Sequence, residues 1–398
     1  MKKLIFLSTI LFVSLSQCTS TAPKPQEIHI DSAFQQATSQ FAFDFIRELN
    51  NEKKEENYFV SPLSLHMALG MLLNGTDGES RVALGKTLNL DQMDMETINS
   101  NYYELIKNLP KVDTKVKNTL ANSVWQRDNF PVEKDFNQTL KNYFSAEVHD
   151  VPFDQTTVDN INKWAKDNTN GKIDHVLDDV EPSSVMFLLN ALYFKGDWTQ
   201  QFDTDKTQKG LFAGSQKTAQ VEMMHIMDDF AYAELDDYKV LEMDYGQGMY
   251  SMRVILPESG DLNELISGMD QNSWRAATQS LGEHEVDVAF PKMKMVNKVD
   301  LKNVLSAMGV GDLFTDKANL SKISSVDGLY VEKVYQDALI EVDEKGSEAA
   351  AVTTIEVGVT SVGPDQQKTF HCDKPFMFFI YEKSSGTIQF VGKVENLD

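Results

Sequence analysis

The sequence predicts an α+β fold built as one large domain, and three observations support this. Segments with a helical repeat of apolar residues alternate with strand-like segments along most of the chain. The composition, with 41% hydrophobic and 24% charged residues, is typical of a globular protein. No linker, repeat or low-complexity block interrupts the sequence after residue 30. A single core usually stops growing near ~250–300 residues, so one domain of this length is large.

The first residues differ in character from the rest. Met1-Lys2-Lys3 precedes an apolar run too short to span a membrane comfortably, which predicts a secretory signal peptide over residues 1–17. Cys18 follows a segment that resembles a bacterial lipobox, in which the cysteine becomes the lipidated first residue. Gln17 departs from the small residue usual at its position, so a plain cleaved signal is the alternative. Residues 18–29 would be a lipid-anchored tether and residues 30–398 the folded domain.

This N-terminus predicts an exported bacterial lipoprotein of the cell envelope, at the outer membrane or surface, or otherwise a secreted protein. Removing Lys2 and Lys3 with the signal changes the formal net charge from -23 to -25. Such a surface repels nucleic acid, anionic lipid head groups and heparin-like polyanions. After lipidation of Cys18 only Cys372 is left, so no intrachain disulfide is available.

Helical periodicity appears in both halves of the chain. Ser61 predicts an N-cap with Pro62 at the first helical position, and Thr76 predicts a capping box with Glu79. The predicted helices cover residues 34–49, 61–74, 76–88, 132–144, 158–170, 262–281 and 299–308.

Strand-like segments fill most of the remainder. The run 184–198 is nearly all apolar, as expected for a strand covered on both faces, and Asn190 in its middle must find hydrogen-bond partners. The predicted strands cover residues 120–125, 184–198, 221–224, 238–256 with a turn at 246–248, 286–295, 334–343, 375–381 and 388–394.

The stretch from Glu341 to Ser361 is the most unusual part of the sequence. Gly346 supplies a flexible joint, and the residues after it contain no Pro, Lys or Arg. In an extended chain the acids Glu348 and Glu356 lie on one face. The opposite face is small or apolar: Ser347, Ala349, Ala351, Thr353, Ile355, Val357 and Val359. The segment is therefore suited to enter a sheet, although a short Ala run is equally consistent with a helix.

Several dispersed motifs resemble the serpin family. They are the segment Tyr58–Leu65 with Ser61-Pro62, the run from Asn190 to Trp198, and the hinge-like segment from Glu344 to Thr353. The resemblance extends over roughly residues 30–397 and implies the serpin fold: three β-sheets with a large central sheet A, about eight to nine helices, and an exposed reactive-centre loop near residues 344–368.

The resemblance also implies roles for individual residues. The hinge residues would be Glu344, Gly346, Ser347, Glu348, Ala349, Ala350, Ala351 and Thr353. The shutter beneath the central sheet would contain Ser61, Ser64, Asn190 and Gln336, where Gln336 replaces the usual His and cannot change charge near neutral pH. The breach, where the loop first enters, would contain Trp198 with an exposed Lys292–Glu344 ion pair, contributing only ~0–1 kcal/mol.

The implied function is suicide-substrate inhibition of serine endopeptidases by loop cleavage, acyl-enzyme trapping and insertion into sheet A. Counting about sixteen positions from Glu344, a spacing taken from the family, predicts the scissile bond Thr360–Ser361, with Val359 as the alternative scissile residue. These small uncharged residues predict an elastase-like target, with a cysteine protease as an alternative. The protein would be a monomer that forms a covalent complex with its target.

Catalytic function has little support in the sequence. The Gly85-Lys86-Thr87 segment lacks the earlier glycine of a phosphate-binding loop, and no G-x-S-x-G motif is present. The seven histidines show no metal-site spacing. We therefore expect no enzyme activity, cofactor or metal. The rival functions are a non-inhibitory serpin-fold binding protein on the cell surface and an unrelated nutrient-binding lipoprotein.

Overall fold

The computed structural model describes residues 24–258, 261–347 and 368–398. The predicted lipidation site Cys18 and the predicted loop residues Glu348, Ala349, Ala350, Ala351, Thr353, Val359, Thr360 and Ser361 lie outside the described residues.

Most helices begin at an aspartate or serine whose side chain accepts hydrogen bonds from the N–H groups of the first turn, which otherwise have no partner. Ser61 caps the second helix as predicted, but Asp77 rather than Thr76 caps the third. The α-helices in the described part of the chain are α1 (Ser32–Glu52), α2 (Pro62–Leu73), α3 (Gly78–Thr87), α4 (Met95–Asn108), α5 (Lys134–Phe144), α6 (Gln155–Asn168), α7 (Leu262–Gly268), α8 (Gln271–Ser280) and α9 (Lys302–Leu305).

The strands form two hydrogen-bonded sheets. They are β1 (Tyr58–Val60), β2 (Val116–Arg127), β3 (Glu147–Val151), β4 (Met186–Asp197), β5 (Gln208–Ala213), β6 (Thr218–Glu234), β7 (Tyr238–Tyr245), β8 (Tyr250–Pro257), β9 (Gly282–Pro291), β10 (Met293–Asp300), β11 (Tyr335–Asp343), β12 (Gly346–Ser347), β13 (Lys368–His371), β14 (Phe376–Glu382) and β15 (Ile388–Val394).

The six-stranded sheet, which is sheet A, has the order β10-β11-β12-β4-β2-β3. The nine-stranded sheet has the order β1-β15-β14-β8-β7-β6-β9-β13, with β5 paired to β6. The two smaller sheets expected from the family resemblance are continuous here because β6 is 17 residues long and pairs with β5, β7 and β9. The α+β class is confirmed.

Two predicted helices differ in detail. The segment 262–281 forms α7 and α8 instead of one helix, because Asp270 caps α8 in a capping box with Ser273 and so ends the earlier helix. The segment 299–308 begins as the end of β10 and becomes helical only at Lys302, followed by a π-helical turn that includes Gly309 at φ 107°.

A large apolar core joins the helices to both sheets, and a smaller cluster lies under α6. The smaller cluster packs Ile161 and Trp164 of α6 against Trp125 and Ala191 of the central sheet. Cys372 is a free, fully buried thiol. Within the described residues, no helix is long and apolar enough to cross a membrane, and no group of His, Cys, Asp or Glu could hold a metal ion.

Candidate functional site

The candidate site is the slot between β4 and β11 in sheet A. The two-residue strand β12 lies between them at one end, antiparallel to both. Ser347 pairs with Gly196 of β4 and with Val342 of β11. Within the described residues, β4 pairs with no strand on this side from Met186 to Lys195, and β11 pairs with no strand on this side from Tyr335 to Glu341. We refer to this unpaired part as lying below β12. Below β12 the two strands therefore flank a gap in the sheet.

The gap opens into a cleft of about 620 Å³. Its walls are largely apolar, with Leu188 and Leu192 from β4 and Ala338 and Ile340 from β11. Alternate residues of β11 are buried against the core, from Gln336 to Val342, while those between them are half-buried on the outer face. A strand with one apolar face would complete this surface.

The residues predicted to form the breach include an ion pair that is partly buried, whereas the sequence predicts an exposed pair. Lys292 Nζ lies 3.4 Å from Glu344 Oε1, and the Glu344 side chain is only 9% exposed. Thr207 Oγ1 donates a hydrogen bond to Glu344 Oε1 at 2.7 Å, and Glu222 adds a second, 3.5 Å contact to Lys292. The expectation of an exposed pair is therefore wrong for the glutamate, because Thr207 and the neighbouring backbone cover it.

The electrostatics of this pair favour the charged forms. Burial works against ionisation of Glu344, but hydrogen bonds from Thr207 and the backbone, together with the Lys292 charge, lower its pKa below the usual value. Burial likewise opposes the Lys292 charge, yet Glu344 and Glu222 raise the pKa of that lysine. Both groups are charged at neutral pH, so removal of either would leave a partly buried charge without its partner.

Trp198 holds the backbone that leads into β12. Its indole N–H donates to Asp343 O at 3.0 Å, and its backbone N–H donates to Lys345 O at 2.7 Å. The indole also stacks on Tyr245, with ring centroids 4.3 Å apart. The Tyr245 hydroxyl lies 2.6 Å from Ser347 Oγ, and both residues are buried. Burial raises the pKa of Tyr245, so its hydroxyl keeps its proton.

Close packing explains why glycine occupies the position before Ser347. A Cβ at Gly346 would lie 2.1 Å from the carbonyl oxygen of Gly196, which is a backbone atom that cannot rotate away. Gly346 also has φ 157°. The side-chain-free residue lets β12 approach β4 closely enough to pair with it.

Beneath the slot, Gln336 is bound to the backbone of Ser61 at both ends of its amide. Ser61 N–H donates to Gln336 Oε1 and Gln336 Nε2 donates to Ser61 O, each at 2.8 Å. The Ser61 hydroxyl donates to Gln389 O at 2.6 Å and accepts from the backbone N–H of Ser64. These hydrogen bonds connect β11 to the start of α2, and none of the side chains that form them titrates.

Asn190 lies on the opposite wall of the slot. Its Nδ2 donates to Asn122 Oδ1 at 2.7 Å, while its Oδ1 has no hydrogen-bond partner among the described residues. The sequence predicts a buried amide here, but Asn190 is only half-buried because it borders the cleft. An acceptor at this position is available to a group that enters the slot.

Sequence reasoning missed several contributors to this site. Tyr245 and Thr207 bond to hinge residues 102 and 137 positions away, and no local motif marks either of them. Asn118, Asn122 and Gln389 form further polar contacts under the sheet. The available signal for Asn122 was a polar amide inside the predicted strand 120–125, whereas Asn118 precedes that strand and carries no such signal.

Comparison with known proteins identifies the family of the chain. Residues 36–397 match the family described as serpin, serine protease inhibitor. The chain belongs to the serpin family. Among related serpins, the leukocyte elastase inhibitor of the horse, Equus caballus, is 32% identical over 375 residues, covering 90% of this chain and 97% of that protein.

Solved serpin structures have the same architecture. The thermophilic serpin tengpin in its native state superposes with a TM-score of 0.85 at 31% identity, covering 94% of this chain and 97% of that one. Human thyroxine-binding globulin superposes with a TM-score of 0.83 at 27% identity, covering 91% of this chain and 98% of that one. Serpins act as protease inhibitors rather than as catalytic enzymes, but thyroxine-binding globulin, solved in complex with thyroxine, indicates that the fold also serves in ligand binding.

Proposed function

We propose that this serpin is a suicide-substrate inhibitor of serine endopeptidases with small apolar specificity pockets. The observation that carries the proposal is the position of β12, which begins a strand between β11 and β4 at the end of an open slot. A non-inhibitory binding function would not require a slot that accepts more strand.

In the proposed reaction the protease serine attacks the carbonyl carbon of Thr360. The Thr360–Ser361 peptide bond breaks, an ester forms between Thr360 and the protease serine, and the Ser361 amine leaves with the proton delivered by the protease histidine. Before water hydrolyses the ester, the freed strand inserts into the slot and carries the protease with it. Insertion of the cleaved loop into the central sheet is a known property of inhibitory serpins, and the proposed mechanism takes it from the family.

The register of β12 predicts where each inserted residue would lie. Six residues beyond Ser347, Thr353 would face Asn190 on β4 and Gln336 on β11, because the partners Gly196 and Val342 shift back by six. The Thr353 hydroxyl would then reach the unpartnered Asn190 Oδ1. The same parity keeps every inward side chain small or apolar up to Val359.

The same register supports the predicted scissile bond. Ten residues beyond Ser347, Val357 would face Met186, the first residue of β4, after about 33 Å of strand at ~3.3 Å per residue. Thr360 would emerge just past that end. Val359, Thr360 and Ser361 are small and uncharged, which favours an elastase-like protease over one that cleaves after basic residues; a cysteine protease is the second class to test.

We extend the proposal to the N-terminus. A signal peptide over residues 1–17 and lipidation at Cys18 would hold the monomeric inhibitor at the cell envelope through the tether 18–29. Metabolic labelling with a fatty acid, compared between the native chain and Cys18→Ala, tests this part separately.

The decisive experiment compares two matched loop variants. The protein is incubated with pancreatic elastase and a panel of serine and cysteine proteases, and covalent complexes are detected on denaturing gels. Ala349 lies on the inward parity and Ala350 on the outward parity. We expect Ala349→Arg to be cleaved without forming a complex, because a charged side chain cannot enter the apolar slot, and Ala350→Arg to retain the complex.

Loop cleavage without a covalent complex across the whole panel would refute the inhibitor function and favour the non-inhibitory binding function. Equal complex formation by Ala349→Arg and the native protein would refute insertion in this register. Mass spectrometry of the released C-terminal peptide identifies the scissile bond directly.

A further inference from the structure

The segment that follows α6 crosses the outer side of the slot. We call residues 169–185 the strap. Ile173, Val176, Leu177 and Asp178 of the strap line the mouth of the cleft, on the face of the sheet that carries α6. A strand that enters between β4 and β11 must pass under this segment.

The strap is fixed to α6 and β2 on one side of the slot. Asn162 of α6 accepts hydrogen bonds from the backbone N–H groups of Val176 and Leu177 and donates to Leu177 O, all within 2.9 Å. The Arg127 guanidinium of β2 donates to Ser184 O at 2.8 Å. These bonds to backbone atoms tie the strap to the body that contains β4.

On the other side of the slot, charged side chains hold the strap to β10 and β11. Lys172 Nζ of the strap lies 2.7 Å from Glu341 Oε2 of β11. Lys298 Nζ of β10 lies 3.7 Å from Asp178 Oδ2 and 3.4 Å from Val176 O. Two further anchors lie just before β11, where the Ser184 hydroxyl donates a hydrogen bond to Glu332 Oε2 at 2.7 Å and Lys333 lies 3.8 Å from Glu181.

A further ion pair at Glu341 does not cross the slot. Lys294 Nζ lies 2.6 Å from Glu341 Oε1, and Lys294 and Glu341 face each other in the β10–β11 ladder. This pair moves together with β11. When the slot widens, Lys172–Glu341 must stretch or break, whereas Lys294–Glu341 is preserved. Removal of Lys172 should therefore change how easily the slot opens, whereas removal of Lys294 should not.

We propose that the ion pairs Lys172–Glu341 and Asp178–Lys298 form a latch across the slot that sets the rate at which sheet A admits a strand. This inference rests on the insertion step of the proposed function, and it identifies side chains that regulate the rate of that step. The latch residues are positioning residues, since they touch neither the protease nor the scissile bond.

The expected effect is moderate and depends on salt. The paired side chains are partly exposed, so loss of one pair changes a rate by about two- to fivefold. At 1 M salt the Debye length is only about 3 Å, so screening weakens the latch and the variants and the native protein should converge.

The test measures slot opening without a protease. A fluorescein-labelled synthetic peptide with the sequence of residues 348–359, which follow β12, is added to the full chain, and the rate of complex formation is followed at low and high salt. We expect both Glu341→Gln and Lys172→Met to take up the peptide about two- to fivefold faster at low salt. Lys294→Met is the matched control, and we expect no acceleration.

The pair of variants separates the latch from simple attraction of the acidic peptide. Attraction alone would make Glu341→Gln faster but Lys172→Met slower, because these substitutions remove opposite charges. That result, unchanged uptake in both variants, or no uptake by any protein would overturn the latch. Faster uptake in both variants, from a protein that traps no protease, would uphold the latch and refute the inhibitor function.

Discussion

Gln336 and Asp337 are adjacent residues of β11, and only the Asp337 carboxylate responds to pH. Gln336 faces the core and bonds to Ser61 without any proton that titrates. Asp337 lies on the outer face, where Lys298, His175 and Asp178 surround it. The shutter contact is therefore insensitive to pH, while the outer face of the same strand is not.

Asp337→Asn should stabilise the protein near neutral pH and have little effect in acid. Burial raises the pKa of Asp337 from 3.8 to about 6, and Lys298 and His175 only partly offset this. Because the folded-state pKa is raised, the ionised carboxylate destabilises the fold above pH ~6 and the penalty disappears toward pH ~4. After allowance for solvent screening of this half-buried group, we expect a gain on the order of 1 kcal/mol at pH 7.5.

Urea unfolding of both proteins at pH 7.5 and pH 4 measures this difference. Each pH serves as its own control, since other groups titrate equally in the two proteins. A stability change of the same size at both pH values would show that charge is not its cause.

Residues with a local signal could be predicted from sequence, and those defined only by distant contacts could not. The helix cap at Ser61 could be predicted because Pro62 and an apolar helix follow it. Trp198 could be recognised because it follows a long apolar strand. Tyr245 lies in an ordinary strand, and only the fold brings its hydroxyl to Ser347. The burial of Glu344 depends on Thr207, in a turn far from it in sequence.

At the scale of elements, β12 is the smallest strand and the one that positions the slot. Its two residues bridge β11 and β4 and leave the rest of both edges available. The strand exists because Gly346 can approach the backbone of β4 where no other residue fits. The position of the predicted hinge therefore depends on the close approach of Gly346 to the β4 backbone as well as on the hinge sequence.

Gly346→Ala should displace β12 from the sheet. The new Cβ would meet the carbonyl oxygen of Gly196 at 2.1 Å, so the backbone must move and expose Ser347. We expect a loss of roughly 1–3 kcal/mol in the free energy of unfolding and faster amide hydrogen exchange in residues 342–347.

Gly268→Ala is the control, because a Cβ at that glycine meets no heavy atom within 4 Å. Unchanged exchange in Gly346→Ala would mean that the sheet accommodates the methyl group and that the glycine is not required for β12.

Element types were largely predictable because long apolar repeats are strong signals, but element ends were not. A single helix over 262–281 was a reasonable prediction, yet Asp270 and Ser273 start a new one within it. The joining of two sheets into one depends on the length of β6 and on its pairing with three partners. Periodicity within one segment carries no information about such partners.

At the scale of the whole molecule, the loop connects two different sheets. It leaves β12 in the six-stranded sheet and continues as β13, which pairs in parallel with β9 in the nine-stranded sheet. While the loop is intact, its two ends are fixed at separate sheets. Cleavage would release the β12 side to insert, while β13 stays in place.

Cleavage within the loop should therefore raise thermal stability. About ten additional residues would pair with β4 and β11, each contributing ~1 kcal/mol before ordering entropy, which corresponds to an increase of roughly 10 °C or more in the melting temperature. Calorimetry of the intact and the cleaved protein measures the change. Cleaved Ala349→Arg should show little gain, and a cleaved native protein that melts at the temperature of the intact one would contradict insertion.

Because the two loop ends are attached to different sheets, each inhibitor molecule would be consumed by its reaction. Once the N-terminal portion is inserted, its new end would lie at the far end of the slot, roughly 33 Å of strand away from β12, while the other side of the cut stays attached to β13 in the nine-stranded sheet. Each molecule would then act once. Protection would be counted in molecules rather than in turnovers, so the rate of synthesis would set how much protease could be neutralised.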